Sequence, residues 1–190
     1  MLSAALKSAS YLGSGLSAWG SAAANGFRPA YFDTAVTPGI PAFTYSRLAF
    51  TVTVTAKNAL GGTTANYAGS YAQLVTLSDA NAGTNNSGTL GSFANVSIPA
   101  ASFTLAAAGV ASTTTIAYGF NNPATAPITL AMRAVDAGGV SSSGHAEGTN
   151  LIRSGRLHLS NAVGSERLPL AVPAMVQYYD GTDWLNWVSL

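Results

Sequence analysis

The chain of 190 residues contains no cysteine and few charged side chains. The absence of cysteine excludes disulfides, thiolate nucleophiles and cysteine metal ligands, but it does not locate the protein, because a domain of this size folds outside the cell without disulfides. The chain has 8 Lys and Arg residues against 7 Asp and Glu residues, so its net charge is +1. Such a weak charge gives no attraction to nucleic acid or anionic membranes, and neither is expected as a partner.

Long apolar runs are missing as well. No stretch of about 18 apolar residues occurs, so the sequence predicts no membrane-spanning helix. Thr, Ser, Asn and Gly provide most of the polarity in place of charged residues. This composition is more typical of surface and extracellular β-proteins than of cytosolic enzymes, so we expect an extracellular or cell-surface location.

Residues 1–25 differ in composition from the rest of the chain. They are rich in Ser, Ala and Gly, and Lys7 is their only charge. Several apolar residues fall near helical spacing, but Gly13, Gly15 and Gly20 weaken any helix. The segment also lacks the charged start and continuous apolar core of a signal peptide. We predict a linker or a degenerate export segment.

Residues 26–153 alternate apolar and polar side chains in short segments separated by turn residues. Phe50, Val52 and Val54 share one face of a predicted strand and threonines occupy the other, which is the period of a half-buried antiparallel strand. About seven strands of this kind predict an immunoglobulin-like antiparallel β-sandwich, with a jelly roll as the alternative. On three further strands the side chains predicted to point into the core form what we call inward rows. These rows are Val75 and Leu77; Ile116, Tyr118 and Phe120; and Ile128, Leu130 and Met132.

Residues 154–190 are predicted to begin a second, incomplete β-module. Between Gly155 and Trp184, two apolar runs flank a Ser-Glu-Arg-Leu-Pro segment. An Asp-Gly turn then separates Tyr178-Tyr179 from Trp184, which indicates β-structure with tight connections. The fold class expected for the whole chain is therefore all-β.

Several segments carry a resemblance to known families. FTVTVTAKNALGGTTANYAGS, VTLSDANAG and ITLAMRAVDAGGVSSSG resemble bacterial Ig-like modules of invasin-type and filamin-like surface proteins. The matching segments follow one another over most of residues 27–184. They are FRPAYFDTAVTPG at 27–39, FTYSRLAFTVTVTAKNALGGTTANYAG at 43–69, VTLSDANAG at 75–83 and SSSGHAEGTNLIRSGRLHLSNAVGSERLPLAVPAMVQYYDGTDW at 141–184. Together they resemble the C-terminal domain of the MSHA biogenesis protein MshQ family, a domain of unassigned function in bacterial surface and pilus-associated proteins.

The second resemblance implies a component of a type IV pilus system that acts at the cell surface in adhesion. It provides no catalytic residues to carry over. Family members often have a cysteine where Ile40-Pro41 stand here, and they continue past the Tyr-Asp-Gly-Thr-x-Trp segment. We therefore expect a second module that is cut short, with strand edges exposed near Leu157–Leu159 and Val172–Tyr179. Other pilus or surface protein subunits are the expected partners, through pairing at such edges.

Candidate catalytic and metal-binding groups are sparse. His145 and His158 are the only histidines and Glu147 and Glu166 the only glutamates. No G-x-S-x-G turn exposes a serine nucleophile, and most aspartates lie beside turn-forming residues. Asp79 begins a sequence similar to a calcium loop, but no acidic residue closes it. The sequence predicts no enzyme, no cofactor and no metal site.

Two groups of side chains remain as candidate binding sites. The first is the set of aromatic residues around the Asp-Gly turn, which either pack against the sandwich or form a platform for stacking sugar rings. A carbohydrate-binding module that uses these residues is the alternative to a structural and adhesive function. The predicted binding residues are Tyr178, Tyr179, Asp180, Trp184 and Trp187. The second group combines Arg153, Arg156 and Arg167 with Glu166, and an ion-paired surface is favoured there over an anion site.

Overall fold

The computed structural model describes residues 2–5, 19–22, 28–167 and 169–187. Strands dominate this part of the chain, and its α-helices are single turns. In chain order the strands are β1 (Leu2–Ala5), β2 (Trp19–Ala22), β3 (Tyr31–Thr37), β4 (Thr44–Tyr45), β5 (Ala49–Lys57), β6 (Val75–Asp79), β7 (Gly91–Ala94), β8 (Ser97–Ile98), β9 (Val110–Phe120), β10 (Ile128–Asp136), β11 (Thr149–Arg153), β12 (Gly155–Leu159), β13 (Ala174–Tyr179) and β14 (Trp184–Asn186). The helical turns are α1 (Ala82–Asn85), α2 (Ser87–Leu90) and the 3₁₀ turns Gly69–Tyr71 and Ala100–Ser102.

Two sheets form a β-sandwich between β3 and β11. One sheet has the strand order β3-β5-β9-β7, and the other has the order β4-β11-β10-β6-β8. The first order corresponds to strands A, B, E and D of an immunoglobulin fold, and β6, β10 and β11 correspond to C, F and G. Neighbouring strands pair antiparallel, apart from β4, which joins β11 in parallel. The predicted all-β, immunoglobulin-like sandwich is therefore confirmed.

The inward rows of the sandwich follow the period of two seen in the sequence. Phe50, Val52 and Val54 are buried on β5 while the threonines between them stay half-buried. They belong to one apolar core together with the other three predicted rows, on β6, β9 and β10. Phe32, Tyr67 and Phe103 add an aromatic cluster to this core, with ring centroids 5.6 Å and 5.0 Å apart.

The segments between the strands differ in regularity. Residues 80–90 contain α1 and α2. Residues 140–147 form one isolated bridge, from Ser141 to Val135, and accept backbone hydrogen bonds from Phe32 and Thr34 of the edge strand β3. The connection between β12 and β13 runs over residues 160–173 and is not tight, because a long proline-containing segment separates the two strands. The two-residue strand β8 lies at the edge of its sheet and ends directly before Pro99.

A separate three-stranded antiparallel sheet, with the order β12-β13-β14, follows the sandwich. We call it the small sheet. β12 forms one of its edges, as expected for Leu157–Leu159, but β13 is paired on both sides. An exposed edge at Val172–Tyr179 is therefore wrong for the residues of β13. The domain limits 1–25, 26–153 and 154–190 stay predictions.

β1 and β2 pair as an antiparallel hairpin within the segment predicted as a linker or degenerate export segment. That assignment of residues 1–25 also stays a prediction. In the part of the chain that the structure describes, no helix is long and apolar enough to cross a membrane.

Candidate functional site

The turn between β13 and β14 is held by Asp180. Its Oδ1 accepts hydrogen bonds from the backbone N–H groups of Asp183 and Thr182, both at 2.8 Å. These two bonds, with the nearby Arg153 charge, lower the pKa of the Asp180 carboxyl below its usual value. Gly181 has a φ of +114°, which favours a residue without a side chain. Asp180 therefore has a turn-forming role, whether or not it also binds a ligand.

The four aromatic residues of the predicted binding set lie on both sides of the small sheet. Tyr178 and Tyr179 are neighbours on β13, so their side chains point to opposite faces. Trp184 is directly opposite Tyr179 on β14, and their ring centroids are 5.3 Å apart. Trp187 instead lies beside Tyr178, at 6.3 Å between centroids. The structure therefore divides the predicted aromatic platform into two separate pairs.

Tyr178 and Trp187 dock the small sheet onto the sandwich. The ring of Phe43, just before β4, lies 5.3 Å from Tyr178 and 5.0 Å from Trp187. The Arg153 guanidinium stacks over the same group, 4.7 Å from the Tyr178 centroid and 5.4 Å from that of Phe43. We call Phe43, Arg153, Tyr178 and Trp187 the junction cluster. Packing against the sandwich is thus the arrangement found for two of the four predicted aromatic residues.

Ser154 is the single residue between β11 and β12, and it ties the start of β12 to the loop between β9 and β10. Its Oγ accepts a hydrogen bond from the Thr125 backbone N–H and donates one to the Thr125 carbonyl, both at 3.2 Å. Gly155 follows, and a Cβ built there would lie 2.5 Å from the Tyr45 ring. The absence of a side chain at position 155 therefore lets β12 run directly against Tyr45.

The opposite face of the small sheet combines aromatic and polar groups. The Arg156 guanidinium lies 4.3 Å from the Trp184 ring centroid, and its Nε donates to Gln177 Oε1 at 2.8 Å. Gln177 Nε2 in turn donates to Asn186 Oδ1 at 2.8 Å. Arg156 covers part of the Trp184 ring, which leaves less of it for stacking a ligand.

A groove of about 510 Å³ lies between the small sheet and the sandwich. This volume is within the range of small-ligand and peptide sites. Its walls come from four separate parts of the chain, and they include two arginines but no carboxylate. The lining residues are Tyr45–Arg47, Phe120–Pro123, Ser154–Leu157 and Val176.

Arg47 lies at one end of this groove in an unusual backbone conformation. Its φ is +70°, a left-handed value that is costly for a residue with a side chain. The side chain crosses Gly119, where a Cβ would come within 3.0 Å of Arg47 Cγ. Among the described residues, neither Arg47 nor Arg156 takes part in the ion pairs, which join Lys57 to Asp33 and Arg133 to Glu147.

The groove is not predicted from the sequence, although some of the residues around it are noticeable there. Arg153 and Arg156 stand out in the sequence, but as members of an ion-paired surface with Arg167 and Glu166. In the structure both guanidiniums stack on aromatic rings instead. No local pattern marks Phe43 or Arg47, since their importance comes from contacts with residues more than 100 positions later or from the shape of a turn.

Asp79 and His145, two of the other candidate groups, have structural partners. Asp79 Oδ1 accepts from the backbone N–H groups of Asn81 and Ala131, each at 3.0 Å, so this carboxylate stabilises its own loop. His145 stacks on Tyr31 with ring centroids 3.5 Å apart. No group of three or more His, Asp or Glu side chains suitable for a metal occurs among the residues that the structure describes.

Comparison with known proteins gives two family matches. A family model described as DUF6701, third domain, matches residues 2–149, and another described as DUF6701, fourth domain, matches residues 153–187. No curated protein and no solved structure matches the chain. Residues 45–47 and 120–123 of the groove fall in the first matched segment, and residues 154–157 and 176 fall in the second. The groove is therefore built where the two matched segments meet.

Proposed function

The chain belongs to the DUF6701 family, and from this premise we propose that it is a non-enzymatic structural and adhesive module of a bacterial cell-surface protein. The finer assignment that we propose is a pilus-associated protein of the MshQ kind, located outside the cell. The resemblance of residues 27–184 to the MshQ C-terminal domain supports it, as does the low content of charged residues, which is 8%.

The observation that carries this proposal is the junction cluster. An adhesive protein transmits force along its chain, so consecutive modules need a contact that resists bending. Phe43 is 3% exposed, yet it lies outside the main core of the sandwich. The Phe43 ring is surrounded by Tyr45, Tyr178, Trp187 and Arg153. These contacts between the small sheet and the sandwich support a junction that resists bending.

Surface labelling of intact bacteria tests the location. In a strain that encodes the protein, antibodies raised against residues 26–190 should label intact cells, and external protease should remove the signal. Deletion of the gene should reduce attachment of the cells to a surface, and the wild-type gene should restore it. Labelling that needs permeabilised cells would contradict the proposal.

A second candidate function is carbohydrate binding, for which the Tyr179 and Trp184 pair is the specific observation. Two aromatic rings beside the Gln177 and Asn186 amides form a surface that suits a sugar ring. A glycan array with the wild-type chain and Trp184→Ala would test it. Binding that the substitution abolishes would favour a lectin, and an array without bound glycans would leave the structural function.

A further inference from the structure

The edge of β12 has backbone groups that face away from its partner strand β13. Ser154 O accepts from Tyr179 N, and Ser160 N donates to Pro173 O, both at 2.9 Å. Because bonding alternates along an antiparallel strand, the N–H and C=O groups of Leu157 and Leu159 point outward. Among the described residues, β12 pairs with β13 alone, and no backbone hydrogen bond outside the strand ladders reaches either leucine. β12 is therefore an open edge able to accept another strand.

The groove lies along this edge. Ser154, Gly155, Arg156 and Leu157 all line it, although the side chains of neighbouring strand residues point to opposite faces. Four consecutive lining residues mean that the strand presents its edge to the groove and not one face alone. A strand added to β12 would thus lie with one end between the small sheet and Tyr45–Arg47.

The two faces beside the open edge differ in chemistry. On one face Leu157 is 64% exposed, Leu159 59% and Val176 47%, so an apolar surface continues up to the edge. On the other face Arg156 lies next to His158. Arg47 adds a second cation to the groove from the sandwich, and no carboxylate lines the groove in the described part of the chain. A strand that extends this sheet would place apolar side chains on the first face and acidic side chains on the second.

We propose that the open edge of β12 binds an extended peptide segment of a partner protein, antiparallel, with alternating apolar and acidic side chains. The inference rests on the proposed function, since it names the chemistry of the partner that an adhesive surface module would hold. Main-chain hydrogen bonds to Leu157 and Leu159 supply affinity, and the different faces supply specificity. Directly opposite residues of two antiparallel strands have their side chains on the same face of the sheet. The segment residues opposite Leu157 and Leu159 therefore lie on the apolar face. Their backbone N–H and C=O groups are the ones that form hydrogen bonds with β12.

The probe for this proposal is a fluorescein-labelled octapeptide, blocked at both ends, that alternates valine with glutamate. Fluorescence anisotropy with the full chain should show saturable binding, and a valine-lysine peptide should not bind. Methylating the valine nitrogens removes donors that face β12 and should weaken binding about five- to hundredfold. Methylating the glutamate nitrogens is the matched control, because these point away from β12 and should leave binding unchanged.

Protein variants test the same geometry from the other side. Leu157→Pro removes one outward N–H while leaving the bonds of Arg156 and His158 to β13, and should weaken binding at least fivefold. Arg47→Gln should also weaken it about tenfold, whereas Arg167→Gln, an exposed arginine outside the groove, should not. In the wild-type chain the amides of Leu157 and Leu159 should gain protection from hydrogen exchange when the peptide binds.

Three results would overturn the proposal. The first is that both N-methylated peptides bind equally well. The second is that the peptide adds no protection from hydrogen exchange at Leu157 and Leu159. The third is that polygalacturonate binds in a way that depends on Arg47 while the amides of these two leucines still exchange. The last would assign the groove to an acidic saccharide. Surface labelling of cells does not depend on the groove, so a chain that is displayed but binds no peptide would refute this inference and leave the proposed function standing.

Discussion

Truncation of Phe43 to alanine should uncouple the small sheet from the sandwich. The Phe43 ring has aromatic neighbours at 5.0 Å (Tyr45 and Trp187) and 5.3 Å (Tyr178), with the Arg153 guanidinium at 5.4 Å. Replacement of a buried Phe by Ala costs about 3–5 kcal/mol. Because Phe43 lies outside the main core cluster, this loss should fall on the contact between the sheets.

Tryptophan fluorescence separates the two parts of the molecule. Trp184 and Trp187 are both in the small sheet, so in a Trp19→Phe background the emission reports on that sheet alone. Far-UV circular dichroism reports mainly on the sandwich, which contains most of the strands. The free energy of unfolding falls by about 1–3 kcal/mol per M of urea. The unfolding midpoint of Phe43→Ala that is read by fluorescence should therefore lie at least about 1 M below that of the wild type. It should also lie below the midpoint that is read by circular dichroism.

Phe103→Ala is the matched control for this experiment. Phe103 is fully buried and belongs to the sandwich core, so its truncation should shift the fluorescence and circular dichroism transitions together. If the two transitions of Phe43→Ala also stay together, the small sheet and the sandwich are not joined through Phe43. That result would remove the physical basis for a stiff two-module unit.

Three further predictions concern single contacts. Gly155→Ala should destabilise the same junction by about 1–3 kcal/mol, read by tryptophan fluorescence, because the new Cβ meets the Tyr45 ring at 2.5 Å. Glu147→Gln should lower the free energy of unfolding in urea by about 1–2 kcal/mol, since it weakens the Arg133 bonds of 2.7 Å and 3.2 Å. Tyr67→Phe should lower it by about 1–3 kcal/mol, because Asp136 Oδ2 loses its 2.9 Å bond. Burial raises the pKa of Tyr67 above 10.0, so the folded state holds this proton more tightly than the unfolded state and wild-type stability should fall as the pH rises above about 10. Tyr67→Phe should show a smaller fall.

The strands of the sandwich could be predicted because burial follows a local period. Phe50, Val52 and Val54 alternate with threonine, and a one-residue shift would place all three in solvent. Each inward row needs only its own segment of sequence to be recognised. The division of Tyr178 from Tyr179 follows from the same period, because neighbouring residues of a strand point to opposite faces. The alternation in this segment therefore argues by itself against a single aromatic platform.

The groove could not be predicted in the same way. It depends on where β12 lies relative to the turn around Arg47, and these residues are more than 100 positions apart. Phe43 reads as an isolated aromatic residue after a turn, and only its contacts across the junction give it a role. The charge on Arg156 is visible in the sequence, but its stacking on Trp184 depends on the register of β13 with β12 and β14.

The junction cluster and the open edge of β12 are linked by the short connection at Ser154. One face of the small sheet uses Tyr178 and Trp187 for docking, and the bonds of Ser154 to Thr125 fix the start of β12. The edge is therefore held beside Arg47 before any partner arrives. Because binding to a preorganised site costs less ordering of the protein, a partner strand would lose mainly its own freedom. Phe43→Ala should consequently weaken binding of the valine-glutamate peptide as well, although Phe43 does not line the groove.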